Sequence, residues 1–196
     1  GATPLGGPVG RVRDWGIGLV TGPLFDRPFA VGMHPVRGAL GLPAVASADA
    51  LLRRAPGILV ATGKPFEYEH TDWGASVEMI GPAAFDPALR RRPSWLDDID
   101  HPIVLVTTSS VRQADEALIR AAIDALEGEA VHVVATSPAG GVEQVTRRRR
   151  VTLARFVPHS AVLDRAVCVV THGGMGITQK ALGRGIPVCA VPFGRD

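Results

Sequence analysis

The chain has 196 residues, 46% of them hydrophobic, which suits one or two compact domains and excludes a disordered polypeptide. A formal net charge of +2 gives no overall reason to expect a nucleic-acid partner. No apolar run is long enough to span a bilayer and no basic-then-apolar leader opens the sequence, so the expected location is cytoplasmic.

Residues 1–56 are rich in Gly and Pro, with helical candidates only around Val36–Leu40 and Ala48–Arg54. Gly57–Ala61 (GILVA) and Ser76–Ile80 (SVEMI) are short apolar strand candidates, the second ended by Gly81-Pro82. A proline- and arginine-rich stretch follows and is expected to be an interdomain linker over 83–101. Beyond it the pattern becomes regular. Ile103–Thr107 reads as a strand. Gln113–Leu126 reads as a helix, with Ala114, Ala117, Leu118, Ala121, Ala122 and Ala125 on its apolar face. Val131–Ala135 and Val151–Phe156 read as strands, His159–Arg165 as a short helix and Val167–Val170 as a strand. Met175–Arg184 reads as a helix closed by Gly185 and stopped by Pro187, and Pro187–Val191 as a final strand. Strands alternating with helices predict an α/β fold with a Rossmann-like, doubly wound parallel sheet. The domains are expected at 1–82, a partial first lobe, and 102–196, a ligand-binding lobe. Both chain ends read as cut.

Some features have plain readings. Cys168 and Cys189 lie in apolar runs and are expected to be buried reduced thiols, able to pair only if their strands are neighbours. Arg147-Arg148-Arg149-Arg150 has no interleaved aromatics and reads as a solvated loop or strand entry. Asp98-Ile99-Asp100 reads as a solvated turn. Trp15, Trp73 and Trp95 read as packing anchors, and His101 and His132 as structural residues.

In a doubly wound sheet, ligands bind at the carboxyl ends of the strands. Those ends carry Thr108-Ser109-Ser110, Thr136-Ser137, Phe156-Val157-Pro158-His159, Thr171-His172-Gly173-Gly174 and Pro192-Phe193-Gly194-Arg195-Asp196. The glycine turn at a helix start lets backbone N–H groups approach an oxyanion, and His172 adds a hydrogen bond. The hydroxyls, the Phe156 ring and the terminal acid suit phosphate, base and sugar. Ser109 and Ser110 could also serve as a cap for the following helix.

These residues carry a family resemblance. Thr171-His172-Gly173-Gly174-Met175-Gly176, Ala181-Leu182, Gly185-Ile186-Pro187 and Pro192–Asp196, with Phe156-Val157-Pro158-His159 upstream, resemble the donor-binding signature of GT-B glycosyltransferases of the UDP-glucuronosyltransferase and macrolide-transferase type. The resemblance implies that Phe156 stacks on the base and His159 meets base or ribose. It implies that His172 and the backbone around Gly173, Gly174 and Gly176 hold the diphosphate. Ser109 and Ser110 face the phosphates, Thr178 assists them, and Asp196 holds sugar hydroxyls. Two positions depart from the pattern. Lys180 stands where many relatives have a Glu that grips the ribose, and a lysine cannot accept those bonds. Ile177 stands where Thr or Ser is common.

The implied reaction is metal-independent transfer of a hexose from a UDP- or dTDP-sugar to a hydroxyl of a small-molecule or lipid acceptor. No metal site and no cofactor beyond the donor substrate are expected. Membrane association is expected only through a lipid acceptor. The general base that the family places near the start of its first lobe has no identified counterpart, since neither His34 nor His70 sits in a matching motif. The alternative is a non-catalytic nucleotide-sugar-binding fragment.

Overall fold

Ile103–Thr107 alternates between two apolar environments, and this alternation organises the molecule. The computed structural model describes residues 7–64, 66–67, 73–82, 92–110, 116–138 and 145–193. They fall into two compact units, Gly1–Val60 with Glu69–Met79, and Ala61–Tyr68 with Ile80–Asp196. The described residues 61–64, 66–67 and 80–82 group with the second unit.

The first unit holds helix α1 (Gly7–Ala39), helix α2 (Ala48–Leu52) and the parallel pair β1 (Ile58–Val60) and β2 (Val77–Met79). Ser47 caps α2, its hydroxyl accepting from the Ala50 N–H at 3.0 Å. The 33-residue α1 was expected only at its last turn. Its sequence hides it: Pro23, Pro28 and Pro35 each remove a helix hydrogen-bond donor, and the apolar residues form no single stripe. Trp15 on this helix is exposed rather than a packing anchor. His34 bonds the Val45 carbonyl at 2.8 Å, a structural role, while His70 lies outside the described residues. No helix among the described residues is long and apolar enough to cross a membrane.

The second unit is a six-stranded sheet. Its strands are β3 (Ile103–Thr107), β4 (His132–Thr136), β5 (Thr146–Arg148), β6 (Val151–Ala154), β7 (Ala166–Thr171) and β8 (Val188–Ala190). Their spatial order is β5-β6-β4-β3-β7-β8, all parallel except the β5–β6 hairpin at one edge. Strands buried on both faces read as continuous apolar runs, as β3 does. Ile103 and Leu105 face one layer, with Leu96, Val162, Leu163, Ile177, Ala181 and Ile186. Val104 and Val106 face the other, under Leu118 and Ala122. Truncating a side chain such as Leu105 in this core costs about 2–5 kcal/mol.

Helix α3 (Glu116–Leu126) covers the second face, but not with the stripe read from its alanines. Leu118, Ile119, Ala122, Ile123 and Leu126 turn inward, and Ala117, Ala121 and Ala125 are exposed. The larger side chains bury more apolar area and set the rotation of the helix. Residues 113–115 lie outside the described residues. On the first face lie α4 (His159–Leu163) and α5 (Met175–Leu182). Helix α5 ends in a Schellman turn: Gly185 N–H donates to Leu182 O, Ile186 N–H to Ala181 O, and Gly185 takes a φ of 71°. Trp95 packs on the first core, and Arg165 donates to the carbonyls of Leu96 and Ile99, tying that turn to the sheet. Asp98 and Asp100 are exposed around buried Ile99. Arg147 meets Asp98 at 2.9 Å, an exposed pair of small energetic weight.

Both cysteines are free thiols. Their strands are neighbours, but Cys189 pairs in register with Val170, not with Cys168. Burial raises the Cys168 pKa, and the Cys189 thiol adds to that effect. Cys189 is exposed, contrary to the sequence reading.

Candidate functional site: the carboxyl edge of the sheet

From β3 the chain moves outward to β4 and β6, then returns to place β7 on the other side of β3. The strand order therefore reverses between β3 and β7, and a crevice opens at their carboxyl ends. A cavity of about 400 Å³ lies there. It gathers Ser109, Ser110, Phe156, His159, His172, Gly174 and Gly176, residues spread over 68 positions of sequence.

Each is delivered by its own element. Thr108 anchors the end of β3 to β4, its N–H and hydroxyl both donating to the Thr136 carbonyl at 3.2 Å. Ser109, buried, and Ser110, exposed, follow directly. The residues between them and α3, 111–115, lie outside the described residues. Phe156 follows β6 and is 62% exposed, so it is not a core residue. His159 opens α4, with Nε2 3.5 Å from Thr136 Oγ1.

The end of β7 carries the tightest geometry. Gly173 has a φ of 102°, which an L side chain resists, so this turn requires glycine. His172 is 8% exposed, and its imidazole occupies the space where a Gly174 side chain would be. Gly174 is the N-cap of α5 and supplies no side-chain cap. The first backbone bond of the helix is Thr178 N–H to Gly174 O, which leaves the earlier N–H groups at the positive end of the helix dipole. Gly176, one residue into the helix, has open space beside its Cα.

Two predicted residues stand outside the cavity lining. Gly173 shapes the turn without lining the cavity. Thr178 is buried on the core side of α5, and its hydroxyl has no hydrogen-bond partner among the described residues. Asp196 lies outside the described residues. Thr107, Thr136, Pro138, Met175, Ile177 and Lys180 also line the cavity. Lys180 could have been placed there from sequence, since it lies one helical turn beyond Gly176 on the same face. Among the described lining residues there is one lysine, two histidines and five hydroxyl side chains, and no carboxylate. That set favours an anionic ligand.

His132, in the interior of β4, serves the fold. Its Nε2 meets Thr152 Oγ1 at 2.8 Å. Burial holds its pKa below the usual histidine value, helped by the charges of Arg147, His101 and Arg165. Among the described residues no cluster of His, Cys, Asp and Glu could hold a metal ion.

No protein-family model matches the chain. It is similar to 4'-demethylrebeccamycin synthase of Lentzea aerocolonigenes, 32% identical over 193 residues, covering 96% of this chain and 46% of that protein. It is also similar to the UDP-glucosyltransferase avaP of Aspergillus versicolor, 31% identical over 131 residues, covering 63% of this chain and 29% of that one. The crystal structure of the glycosyltransferase of kitacinnamycin superposes with a TM-score of 0.58 at 23% identity, covering 83% of this chain and 42% of that one, which is a likeness of fold. In sequence the chain is similar to these proteins, and its parallel-dominated α/β fold matches that of GT-B glycosyltransferase structures. It spans less than half the length of each of these relatives.

Proposed function

We propose that this chain is the donor-binding part of a glycosyltransferase and binds a UDP- or dTDP-sugar at the carboxyl edge of the second unit. We propose further that the whole protein transfers the hexose to a hydroxyl of a small-molecule or lipid acceptor. The supporting observation is the convergence, on one cavity free of carboxylates among its described residues, of His172, the open N-terminus of α5 and the exposed Phe156 ring. The ring stacks on the base. The helix N-terminus and His172 take the charge that builds on the departing diphosphate as the glycosidic bond to phosphate breaks. These groups stabilise the leaving group within the cavity, so the reading includes no metal and no cofactor beyond the donor. His172 is assigned to the leaving group and not to the role of general base. Ser109, Ser110 and His159 complete the donor contacts, and Asp196 is assigned to the sugar hydroxyls.

Titration calorimetry of the chain with UDP and with dTDP tests the site, and hydrolysis of the corresponding sugar nucleotides tests turnover. Saturable binding of either diphosphate is expected. No binding at millimolar ligand overturns the donor-site reading. Binding without turnover favours a nucleotide-sugar-binding role for this chain in place of catalysis.

A further inference from the structure

A second cavity of the second unit lies away from the carboxyl edge. About 510 Å³ of space lies beneath the end of α3, against the amino-terminal ends of β4 and β6 and the β5–β6 hairpin. Its volume falls in the range of small-molecule sites. Ile123, Leu126, Val131, Val133, Val151 and Leu153 give it an apolar floor. Three consecutive arginines, Arg148, Arg149 and Arg150, stand at its rim, with Asp124 and Glu127 on α3. No step of the proposed transfer uses this cavity, since it opens at the opposite edge of the sheet.

The hairpin turn is built in a costly way. Arg148 pairs with Val151, so Arg149 and Arg150 form a two-residue loop. Arg149 has a φ of 47°, the one positive value at a non-glycine residue among the described residues. Glycine is the strain-free choice at the first position of such a loop. Arg150 is held by a 2.8 Å bond to the Glu129 carbonyl. Arg148 and Arg149 have no ion-pair partner among the described residues. A strained backbone that keeps a cation at the mouth of an apolar cavity points to a bound anion. Guanidinium groups grip a carboxylate through paired N–H donors, and the floor takes an alkyl or aryl tail.

We infer that this cavity is a second binding site, for a small amphipathic anion of the acyl-carboxylate class. The tail lies on Val133, Val151 and Leu153, and the carboxylate meets Arg148 and Arg149. The inference is independent of the donor-site reading.

Decanoate, below its micelle-forming concentration, is the probe, with 1-decanol and acetate as controls. Calorimetry gives affinity, and methyl NMR of the full chain gives location. Decanoate is expected to bind more tightly than either control and to shift the methyls of Ile123, Val133 and Leu153, leaving Ile177 unmoved. Arg149→Gly is the informative variant. It relieves the backbone, so its unfolding temperature is expected to rise while decanoate affinity falls about tenfold or more through loss of a charge-assisted contact. Arg148→Ala is expected to weaken binding similarly with the fold unchanged. The inference is overturned if decanoate does not bind, if decanol binds equally well, if Arg149→Gly and Arg148→Ala bind as the parent does, or if the shifts appear at Ile177. Sedimentation with phosphatidylglycerol vesicles that decanoate does not compete away assigns the arginines to a membrane surface and also overturns it.

Discussion

The imidazole of His172 stands where Gly174 would carry a side chain: a Cβ built on Gly174 falls 2.6 Å from His172 Nε2 and 2.9 Å from Cε1. The two residues are therefore one device, with the glycine reserving space that the ring fills. Gly174→Ala is expected to push the imidazole out of its position, because the far end of a side chain yields more easily than backbone. The N-cap exchange itself costs at most about 1 kcal/mol. Loss of a charge-assisted hydrogen bond is worth about 1.5–3 kcal/mol, or roughly tenfold to a hundredfold in affinity. Calorimetry with UDP should show that loss while the thermal midpoint moves little. Unchanged UDP affinity in a folded variant would remove His172 from the diphosphate site.

Gly176 makes the complementary case. Nothing lies within 4 Å of a Cβ built there, so packing does not require glycine. Inside a helix, glycine is less favourable than alanine by about 0.8–1 kcal/mol. Gly176→Ala should therefore stabilise the chain, seen as a higher denaturant midpoint. Its methyl group would enter the cavity at the first turn of α5 and hold the diphosphate off the backbone. Weaker UDP binding with greater stability is expected. A gain in both would show that the phosphate does not approach this turn.

The legibility of this molecule in its sequence differs sharply between the two units. Ile103–Thr107 was readable to the residue because a strand buried on both faces needs an unbroken β-branched and leucine run. Helix α5 was readable because its ends carry special chemistry, a glycine turn before it and Gly185 after it. Most of the candidate site residues fall at one edge because a parallel sheet puts its loops there. The rotation of α3 was misread because alanines satisfy a helical period without deciding which face is buried. Helix α1 was missed because its prolines and glycines argue locally against the conformation it adopts. Thr178 was expected near phosphate, but one residue on a helix is a 100° rotation, and that carries it into the core.

Lys180 changes what the pocket can distinguish. A carboxylate at this position of α5 can accept from both ribose hydroxyls, whereas an ammonium only donates. The native chain should therefore bind UDP and 2'-deoxy-UDP with nearly equal affinity. Lys180→Glu should separate them, favouring UDP by roughly the 1–1.5 kcal/mol of one added hydrogen bond, or about tenfold. Both affinities should also fall through repulsion between the new carboxylate and the diphosphate. Parallel titrations of the two nucleotides check this. A strong preference for UDP in the native chain would mean that another group reads the 2'-hydroxyl.

His132 predicts an acid sensitivity of the fold. Burial, with Arg147, His101 and Arg165 nearby, holds its pKa below the usual value in the native state, and its ring meets Thr152 at 2.8 Å. The unfolded chain takes up this proton near pH ~6.5, while the native chain resists it. Below that pH the unfolded state binds more protons, so stability falls as pH drops toward the native pKa. Above it both states are neutral at this residue, and the slope from His132 vanishes. Thermal midpoints measured from pH 7.5 down to 5.5 should therefore decline in the parent chain. His132→Gln keeps a hydrogen-bonding group for Thr152 but cannot titrate, so its decline over the same interval should be shallower. Its midpoint at pH 7.5 should be lower than the parent's, because glutamine fills the ring's place imperfectly. Equal slopes in the two proteins would place the acid sensitivity in other titrating groups and leave His132 without a part in it.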